Sequence, residues 1–155
     1  GPANVHRMVE GAGREDCAML TRMVLADDLP TNSASRVLGI VARALWRCTD
    51  LKFLVTYADP SHGNVGTIYQ ASNWLYTGMS DPTPFYDPGD GVAIHSRTFS
   101  QVYGTRSSGY FSASGRKLRV VPQQAKHRYV CFLDPAWRRR LLVPVLPYPR
   151  KERTQ

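Results

Sequence analysis

Two apolar runs, each followed by a polar turn and a helical segment, constrain the fold of this 155-residue chain more than any other feature. The first run, Cys17 to Ala26, is mostly apolar and typical of a buried strand. The second, Leu51 to Tyr57, reads LKFLVTY and is nearly continuous. Two strands that each lead into a helix favour parallel pairing, because parallel neighbours need a crossover connection. The sequence therefore predicts an α/β fold.

The segment after the first run carries the signals of a helix start. Pro30 stops the run, and Asn32 or Ser33 is a good N-cap residue. From Ala34 to Arg47, apolar residues recur at helical spacing. The first strand is therefore expected to lead through a polar turn into an amphipathic helix.

A short helix from Gly66 to Ser72 and a strand from Trp74 to Thr77 are expected after the second run. Residues 17–78 then form a strand–helix–strand–helix–strand core, within a single domain that spans the chain, since 155 residues are too few for two. The other predictions are loops over residues 1–16, 79–91 and 107–115, a helix over Ser96–Tyr103, strands over Lys117–Val121 and Lys126–Leu133, a short basic helix opened by Pro135, and an extended proline-rich tail.

The net charge of +8 is concentrated in the last quarter of the chain. Residues 116–155, the basic C-terminal region, hold eleven Lys and Arg against Asp134 and Glu152, whereas residues 1–115 carry a slight acidic excess. A polyanion is the natural partner of such a block, because each neutralised phosphate releases counterions. A basic tail that only improves solubility is the alternative.

Composition excludes several classes of protein. No apolar run approaches the roughly 18 residues of a membrane span, so no membrane partner is expected. Three scattered cysteines without a C-x-x-C pair argue against structural zinc and a disulfide framework, and they favour the reduced thiols of a cytoplasmic protein. Four histidines, among them His62, show no ligand spacing, so no metal site is expected.

Two polar features lie where ligands bind in α/β sheets, after the carboxyl ends of strands. Asn32, Ser33 and Ser35 open the first helix, where unpaired N–H groups and hydroxyls can hold a phosphate, although plain helix capping explains the same residues. Asp59 follows the second strand and can take a proton from an attacking amine. A turn before Pro60 is the alternative reading of this carboxylate.

Two further features combine aromatic and basic side chains. Tyr69 lies inside the short helix and can donate a proton to a leaving group, although aromatic residues on a helix face more often belong to the core. In the strand KHRYV, Lys126 and Arg128 share one face, and His127 and Tyr129 share the other. Such a row suits phosphate and base contacts, and a solvated strand face is the alternative.

These motifs together resemble the Mom family of phage DNA-modification proteins. The shared features are an L-x-R strand, a D-x-P-x-N-x-x-S turn, a Y-A-D-P strand end, G-x-x-G-T-I-Y-x-A-x-N-W and a later K-H-R-Y. The likeness is close from Met19 to Gly78 and looser from Lys126 to Tyr148. It covers both strand–helix units of the predicted core.

The resemblance implies an acetyltransferase-like (GNAT-like) fold, a mixed sheet with flanking helices. Only 16 residues precede Cys17, so the strands that usually open that fold are expected to be missing or reduced. Tyr69 stands where such enzymes carry a general-acid tyrosine, and Pro30–Ser35 stands where they cradle a phosphate. The turn from Gly63 to Gly66 then only shapes the entry to the tyrosine helix.

The activity implied by the resemblance is conversion of adenine N6 in DNA to a carbamoylmethyl (acetamido) form, which protects phage DNA from restriction in the host cytoplasm. An acetyl-CoA-dependent N-acyltransferase acting on a small amine or protein, and a non-catalytic DNA-binding protein, remain alternatives. The implied roles are catalysis by Asp59, Tyr69 and Arg22; binding of acetyl-CoA or another acyl or aminoacyl donor by Asn32, Ser33, Ser35 and Arg36; and DNA contact by Lys126, His127, Arg128, Tyr129, Arg138, Arg139 and Arg140.

Overall fold

The computed structural model of the chain describes residues 4–60, 63–82, 84–122 and 124–151. Contacts divide the chain into two compact units, Gly1–Ser80 with Lys126–Gln155 and Asp81–Ala125. The single domain predicted from the length stays a prediction. In chain order the elements are β1 (Cys17–Leu20), α1 (Ser33–Cys48), β2 (Phe53–Ala58), α2 (Thr67–Ala71), β3 (Leu75–Met79), β4 (Phe85–Asp87), β5 (Ile94–His95), α3 (Ser96–Tyr103), α4 (Ser108–Ala113), β6 (Arg119–Val121) and β7 (His127–Phe132), with 3-10 turns over Val5–Met8 and Pro135–Arg140.

A four-stranded mixed sheet in the order β1-β2-β7-β3 forms the centre of the first unit. β1 and β2 are parallel, with Leu20 opposite Thr56. β7 lies between β2 and β3 and runs antiparallel to both. The α/β class, the parallel pair and the mixed sheet with flanking helices are therefore confirmed.

Alternate residues of β2 face opposite sides of this sheet and build two apolar clusters. Leu54 and Ala58 pack against Leu38 of α1, in the cluster that also receives α2. Phe53 and Val55 pack in the cluster that contains residues of the N-terminal 3-10 turn and of the C-terminal segment. Burial on both sides explains why β2 is almost uniformly apolar rather than alternating.

The second unit combines a small antiparallel sheet, in the order β5-β4-β6, with two short helices. Its core is aromatic: Phe99 of α3 and Phe111 of α4 are buried, with ring centroids 5.4 Å apart. Two loop predictions are wrong here, since residues 79–91 contain β4 and residues 107–115 contain α4. The Gly/Ser-rich sequence of α4 has low helix propensity, and burial of Phe111 compensates for it.

Two predictions in the first unit also differ from the structure. β1 ends at Leu20 instead of Ala26, because Thr21 interrupts the apolar run and Val24 is 80% exposed. Arg22 therefore lies beyond the strand rather than within it. The basic helix after Pro135 is a six-residue 3-10 turn, and the tail that follows contains neither helix nor strand as far as Lys151.

Two helices and one strand in the middle of the chain agree with their predicted positions. α2 and β3 lie within a residue or two of their expected positions, and α3 matches its predicted range. Among the described residues, no helix combines the length and the apolar character that a bilayer crossing needs. Cys17, Cys48 and Cys131 are free thiols.

Candidate active site

The last residues of three strands meet at one end of the four-stranded sheet. The register sets Ala58 and Met79, which end β2 and β3, opposite His127, the first residue of β7. Leu20 ends β1 at the same end, because β1 is parallel to β2. α1 and α2 follow β1 and β2 in the chain, so both helices start from this end, which we call the carboxyl edge.

Asp59 follows β2 directly and lies at the carboxyl edge. Its Oδ2 is 3.3 Å from Nζ of Lys126, and the two side chains are 49% and 45% exposed. Lys126 is itself fixed by two hydrogen bonds, one from its backbone N–H to Ser80 Oγ (3.0 Å) and one from the Ser80 N–H to its carbonyl (2.8 Å). An exposed ion pair adds about 0–1 kcal/mol of stability, so its main effect is to orient an accessible carboxylate.

Tyr69 lies on α2, and its ring packs against Trp74 and Tyr129 with centroid distances of 5.4 and 5.5 Å. Gly66 allows α2 to approach the sheet this closely. It has φ +74°, and a Cβ there would lie 2.7 Å from the Tyr129 ring and 3.1 Å from Cβ of Ala58. The tyrosine helix is therefore pressed against the strand end that carries Asp59.

Tyr129 is fully buried at the centre of this arrangement. Its hydroxyl donates a short hydrogen bond to the Val65 carbonyl and accepts one from Nε2 of Gln70 at 3.0 Å. Burial raises the pKa of Tyr129, and the Gln70 hydrogen bond acts in the opposite direction. Tyr129 was predicted to contact DNA, but its side chain has no exposed surface and packs in the core.

His127 lies on the helix-covered side of β7, with Nδ1 3.1 Å from the Tyr76 hydroxyl. Burial lowers the pKa of His127 and raises the pKa of Tyr76. Both shifts favour the neutral side chains. An unprotonated Nδ1 of His127 can then accept a hydrogen bond from the Tyr76 hydroxyl.

Arg128 ties β7 to β3. Its Nε donates to Thr77 Oγ1 and its Nη2 to the Thr77 carbonyl, both at 2.9 Å. Two of the five guanidinium N–H donors are thus used within the sheet.

The predicted basic contacts Arg138–Arg140 lie on the C-terminal 3-10 turn. Asp134 starts this turn by accepting a hydrogen bond from the Ala136 N–H at 3.0 Å. The guanidinium of Arg140 lies over the Trp137 ring, 4.5 Å from its centroid, whereas Arg138 and Arg139 are exposed. The first two arginines are therefore the more accessible cations.

The predicted phosphate cradle is the exposed start of α1. The expected N-cap position of Asn32 is confirmed, but Asn32 has φ +70° and its side chain makes no capping hydrogen bond. The Ser33 hydroxyl instead donates to the Pro30 carbonyl (2.7 Å), and the Ser35 hydroxyl donates to the Asn32 carbonyl (3.0 Å). Arg36 is exposed one turn into the helix. The backbone dipole and one guanidinium are thus the anion-binding features present.

Gln70 was not expected from the sequence to have a role. Its Nε2 reaches the Tyr129 hydroxyl and the carbonyls of Val65 and Pro149, which joins α2, β7 and the tail. A long-range contact of this kind leaves no local pattern in the sequence. A shallow pocket of about 540 Å³ opens beside it, lined by Val65, Thr67, Gln70 and residues 147–151.

No group of three or more His, Cys, Asp or Glu side chains is gathered as a metal site in the part of the chain that the structure describes. His62, a histidine of the turn after Asp59, lies outside the described residues.

The chain matches the Mom protein family over residues 1–150. It is also 32% identical over 155 residues to the methylcarbamoylase mom of Escherichia phage Mu. That alignment covers 96% of this chain and 63% of the relative, so the chain spans less than two thirds of the relative's length.

Proposed function

This chain belongs to the Mom protein family, and from this premise we propose that it is a phage DNA-modifying transferase. The proposed reaction converts the N6 amine of adenine in DNA to a carbamoylmethyl (acetamido) form, which protects the DNA from host restriction. The name of the phage Mu relative, a methylcarbamoylase, supports a transfer of this kind.

The observation that carries the proposal is the position of Asp59. Adenine N6 is a weak nucleophile, because its lone pair is delocalised into the ring, so it needs an oriented base at the reacting atom. Asp59 offers an accessible carboxylate on a rigid strand end, held by Lys126 at 3.3 Å. In the proposed reaction this carboxylate accepts a hydrogen bond from the amine and takes its proton as the bond from N6 to the donor carbon forms and the bond from that carbon to the leaving group breaks.

Tyr69 and Arg22 have the second and third proposed catalytic roles. α2 is pressed against the end of β2 through Gly66, which supports a role of the Tyr69 hydroxyl as an acid or a substrate contact. Arg22 is exposed two residues beyond β1, where its guanidinium can stabilise negative charge on the substrate.

The proposed donor site is the start of α1, with Asn32, Ser33, Ser35 and Arg36. The positive end of a 16-residue helix and the exposed Arg36 suit an anionic donor. Acyl transfer from acetyl-CoA or another simple acyl donor would place an acyl group on N6, so such donors fit the N-acyltransferase alternative. The carbamoylmethyl product needs a donor that supplies a nitrogen together with the two carbons, as an aminoacyl species does. The two hydroxyl protons are directed to nearby carbonyls, so they must rotate before they can serve a phosphate. Binding therefore rests mainly on the backbone and on Arg36.

The element order supports an acetyltransferase-like fold. A strand, a polar turn and a helix are followed by a parallel strand and a short helix that carries a tyrosine. This is the order that the resemblance to GNAT-like enzymes implies.

DNA contact is proposed for polar side chains near the sheet and in the C-terminal turn. Lys126 precedes β7, His127 and Arg128 begin it, and Arg138–Arg140 lie in the basic turn. A target adenine must leave the duplex stack, at a cost of a few kcal/mol, or be single-stranded. Phosphate contacts by these side chains offset that cost.

Nucleoside mass spectrometry of DNA from cells that express the protein tests the proposal. The expected result is a modified adenine peak that is absent from cells without the gene and reduced by Tyr69→Phe. If the DNA from cells with the wild-type protein contains only unmodified adenine, the proposal is contradicted. Donor turnover without DNA would instead favour an N-acyltransferase with a small amine or protein as acceptor.

A further inference from the structure

The second unit, Asp81–Ala125, has a charge distribution that the proposed catalytic site does not explain. Residues 91–125 contain five Lys and Arg and no Asp or Glu. The acidic residues of the unit are confined to residues 81–90, and Oδ1 of one of them, Asp87, accepts hydrogen bonds from the N–H groups of Gly89, Asp90 and Gly91. Arg119 lies opposite Asp87 in the β4–β6 pair and interacts with that carboxylate, so the excess positive charge lies on the other Lys and Arg side chains.

An aromatic side chain is exposed within this basic segment. Tyr110 of α4 is 58% exposed, although the next residue, Phe111, is buried in the aromatic core. The edge of one ring meets the other, with centroids 5.3 Å apart and planes at 81°. The buried ring thus supports the exposed one, and most of the tyrosine ring faces solvent.

Arg116 and Lys117 follow α4 on a fixed backbone. The Arg116 N–H donates to the Phe111 carbonyl at 2.9 Å, which holds Arg116 at the end of the helix that carries Tyr110. The Lys117 backbone lies 3.3 Å from the position that a Cβ on Gly89 would occupy. Both side chains are exposed. An aromatic ring and two cations are therefore presented from one short, well-supported segment.

Arg106 differs from these cations because it is used inside the unit. It donates to Ser100 Oγ (2.7 Å) and to the Ser96 carbonyl (3.2 Å), and it lies over the Tyr86 ring. These contacts stabilise α3, so the Arg106 guanidinium is engaged within the unit. Within the described part of the chain, the exposed side chains of Arg116 and Lys117 make no such hydrogen bonds.

We propose that Tyr110, Arg116 and Lys117 form a contact surface for single-stranded or unstacked DNA, in which the tyrosine ring stacks on a base and the two cations contact flanking phosphates. An exposed ring beside cations is the combination by which proteins hold unpaired strands. This inference rests on the proposed function for the choice of DNA as the polyanion. Such a surface would bind bases that are out of the duplex stack.

Fluorescence anisotropy with labelled 20-nucleotide single strands tests the surface directly. One strand has a mixed sequence, and the other has the same backbone with abasic sites. Tyr110→Ala is expected to weaken binding of the normal strand about 5- to 100-fold, as loss of one stacked base would. The same variant should bind the abasic strand as the wild type does, and Tyr110→Phe should behave as wild type on both.

The cations are tested by the salt dependence of binding. The double variant Arg116→Ala/Lys117→Ala should reduce the slope of log K against log salt by about 1.4, the value for two phosphate contacts on a single strand. The matched control Arg43→Ala/Arg47→Ala removes the same charge from α1 and should retain the wild-type slope. Equal slopes for both double variants would contradict specific phosphate contact.

Circular dichroism shows whether the Tyr110→Ala protein is folded. If it is unfolded, Tyr110→Leu takes its place, because leucine keeps apolar contact with Phe111. A folded Tyr110→Ala or Tyr110→Leu protein that binds the normal strand as well as the wild type overturns the proposal. So does an equal loss on both strands. Self-association of the wild type that is lost in Tyr110→Ala, with DNA binding unchanged, would assign the surface to a protein contact. Because binding is measured without turnover, absence of modified adenine contradicts the proposed function but not this surface.

Discussion

Gly66 is the residue on which the position of the tyrosine helix depends most. Its φ of +74° disfavours any L side chain, and an added Cβ would clash with Tyr129 at 2.7 Å. We expect Gly66→Ala to lower the free energy of unfolding by about 2–4 kcal/mol, from backbone strain and overpacking together. Gly11→Ala is the matched control, because Gly11 has φ +70° but open space around it, and it should cost only about 1 kcal/mol. Urea denaturation of both variants measures the difference, and equal losses would contradict the packing argument.

The structure predicts that Cys131 is the least reactive of the three cysteine thiols. Burial raises its pKa to about 11, so very little thiolate, the nucleophilic form, is present near neutral pH. Cys48 is exposed at the end of α1. Brief alkylation of the native protein with iodoacetamide, followed by peptide mass spectrometry, should label Cys48 first and Cys131 last. Comparable labelling of the two would show that Cys131 is more accessible than its burial indicates.

His127 makes stability depend on pH in a defined direction. Burial lowers its folded-state pKa below the ordinary value of about 6.5, so the unfolded chain binds the proton more readily. The stabilisation is therefore complete above about pH 6.5 and is lost as the pH falls through the folded-state pKa. His127→Asn keeps an oxygen that can accept from Tyr76 and removes the titration. Urea midpoints between pH 7.5 and 5 should fall less steeply for this variant, and an unchanged slope would exclude His127 as the cause.

At the scale of elements, the parts that were predictable from the sequence are those with a strong local pattern. β2 has a continuous apolar run, and α1 has helical periodicity, and both were found within two residues of their expected bounds. α4 was missed because its Gly/Ser-rich sequence has no helical period, and the burial of Phe111 against Phe99 and Tyr103 is a tertiary effect. The end of β1 was placed too late, because apolar residues such as the exposed Val24 continue in the sequence beyond the end of the strand.

The tail is an element whose position depends on contacts that the sequence does not reveal. The Leu146 N–H donates to the Tyr76 carbonyl of β3 at 2.9 Å, and the Tyr148 hydroxyl donates to the Trp74 carbonyl at 2.9 Å. Gln70 holds the Pro149 carbonyl from the other side. The tail thus covers the outer strand of the sheet with hydrogen bonds that a free edge would lack.

Tyr148→Phe tests this attachment by removing one hydrogen bond and little volume. We expect a loss of about 0.5–1.5 kcal/mol in the free energy of unfolding, together with faster proteolysis of the tail. Tyr86→Phe is a conservative change of the same kind in the second unit and should not affect tail proteolysis. Limited digestion followed by mass spectrometry of the fragments measures the rate. A tail cleaved at the wild-type rate in Tyr148→Phe would contradict the role of this hydrogen bond.

At the scale of the whole molecule, the candidate site was predictable as a set of residues but not as an arrangement. The motif-bearing residues Asp59, Tyr69 and Ser33 were identified from strand ends and helix starts, and the sheet brings the corresponding elements to one carboxyl edge. The pairing of Asp59 with Lys126 was not foreseen, because it depends on the antiparallel register of β2 and β7, which joins residues far apart in the chain. The burial of Tyr129 was missed for the same reason.

The measurement that tests the account most directly is the modified-adenine content of DNA from cells that express Asp59→Asn, with Asp50→Asn as the matched control. Asp50 is an exposed carboxylate just before β2, at the opposite end of the sheet from Asp59. Asp59→Asn keeps the size of the side chain and removes its basicity, so the account predicts at least a 100-fold loss of modified adenine, about the contribution of a general base. Asp50→Asn should retain the wild-type amount, and single-strand binding should be unchanged in both. Modified adenine at the wild-type level in a folded Asp59→Asn protein would contradict the central claim that this carboxylate activates the amine.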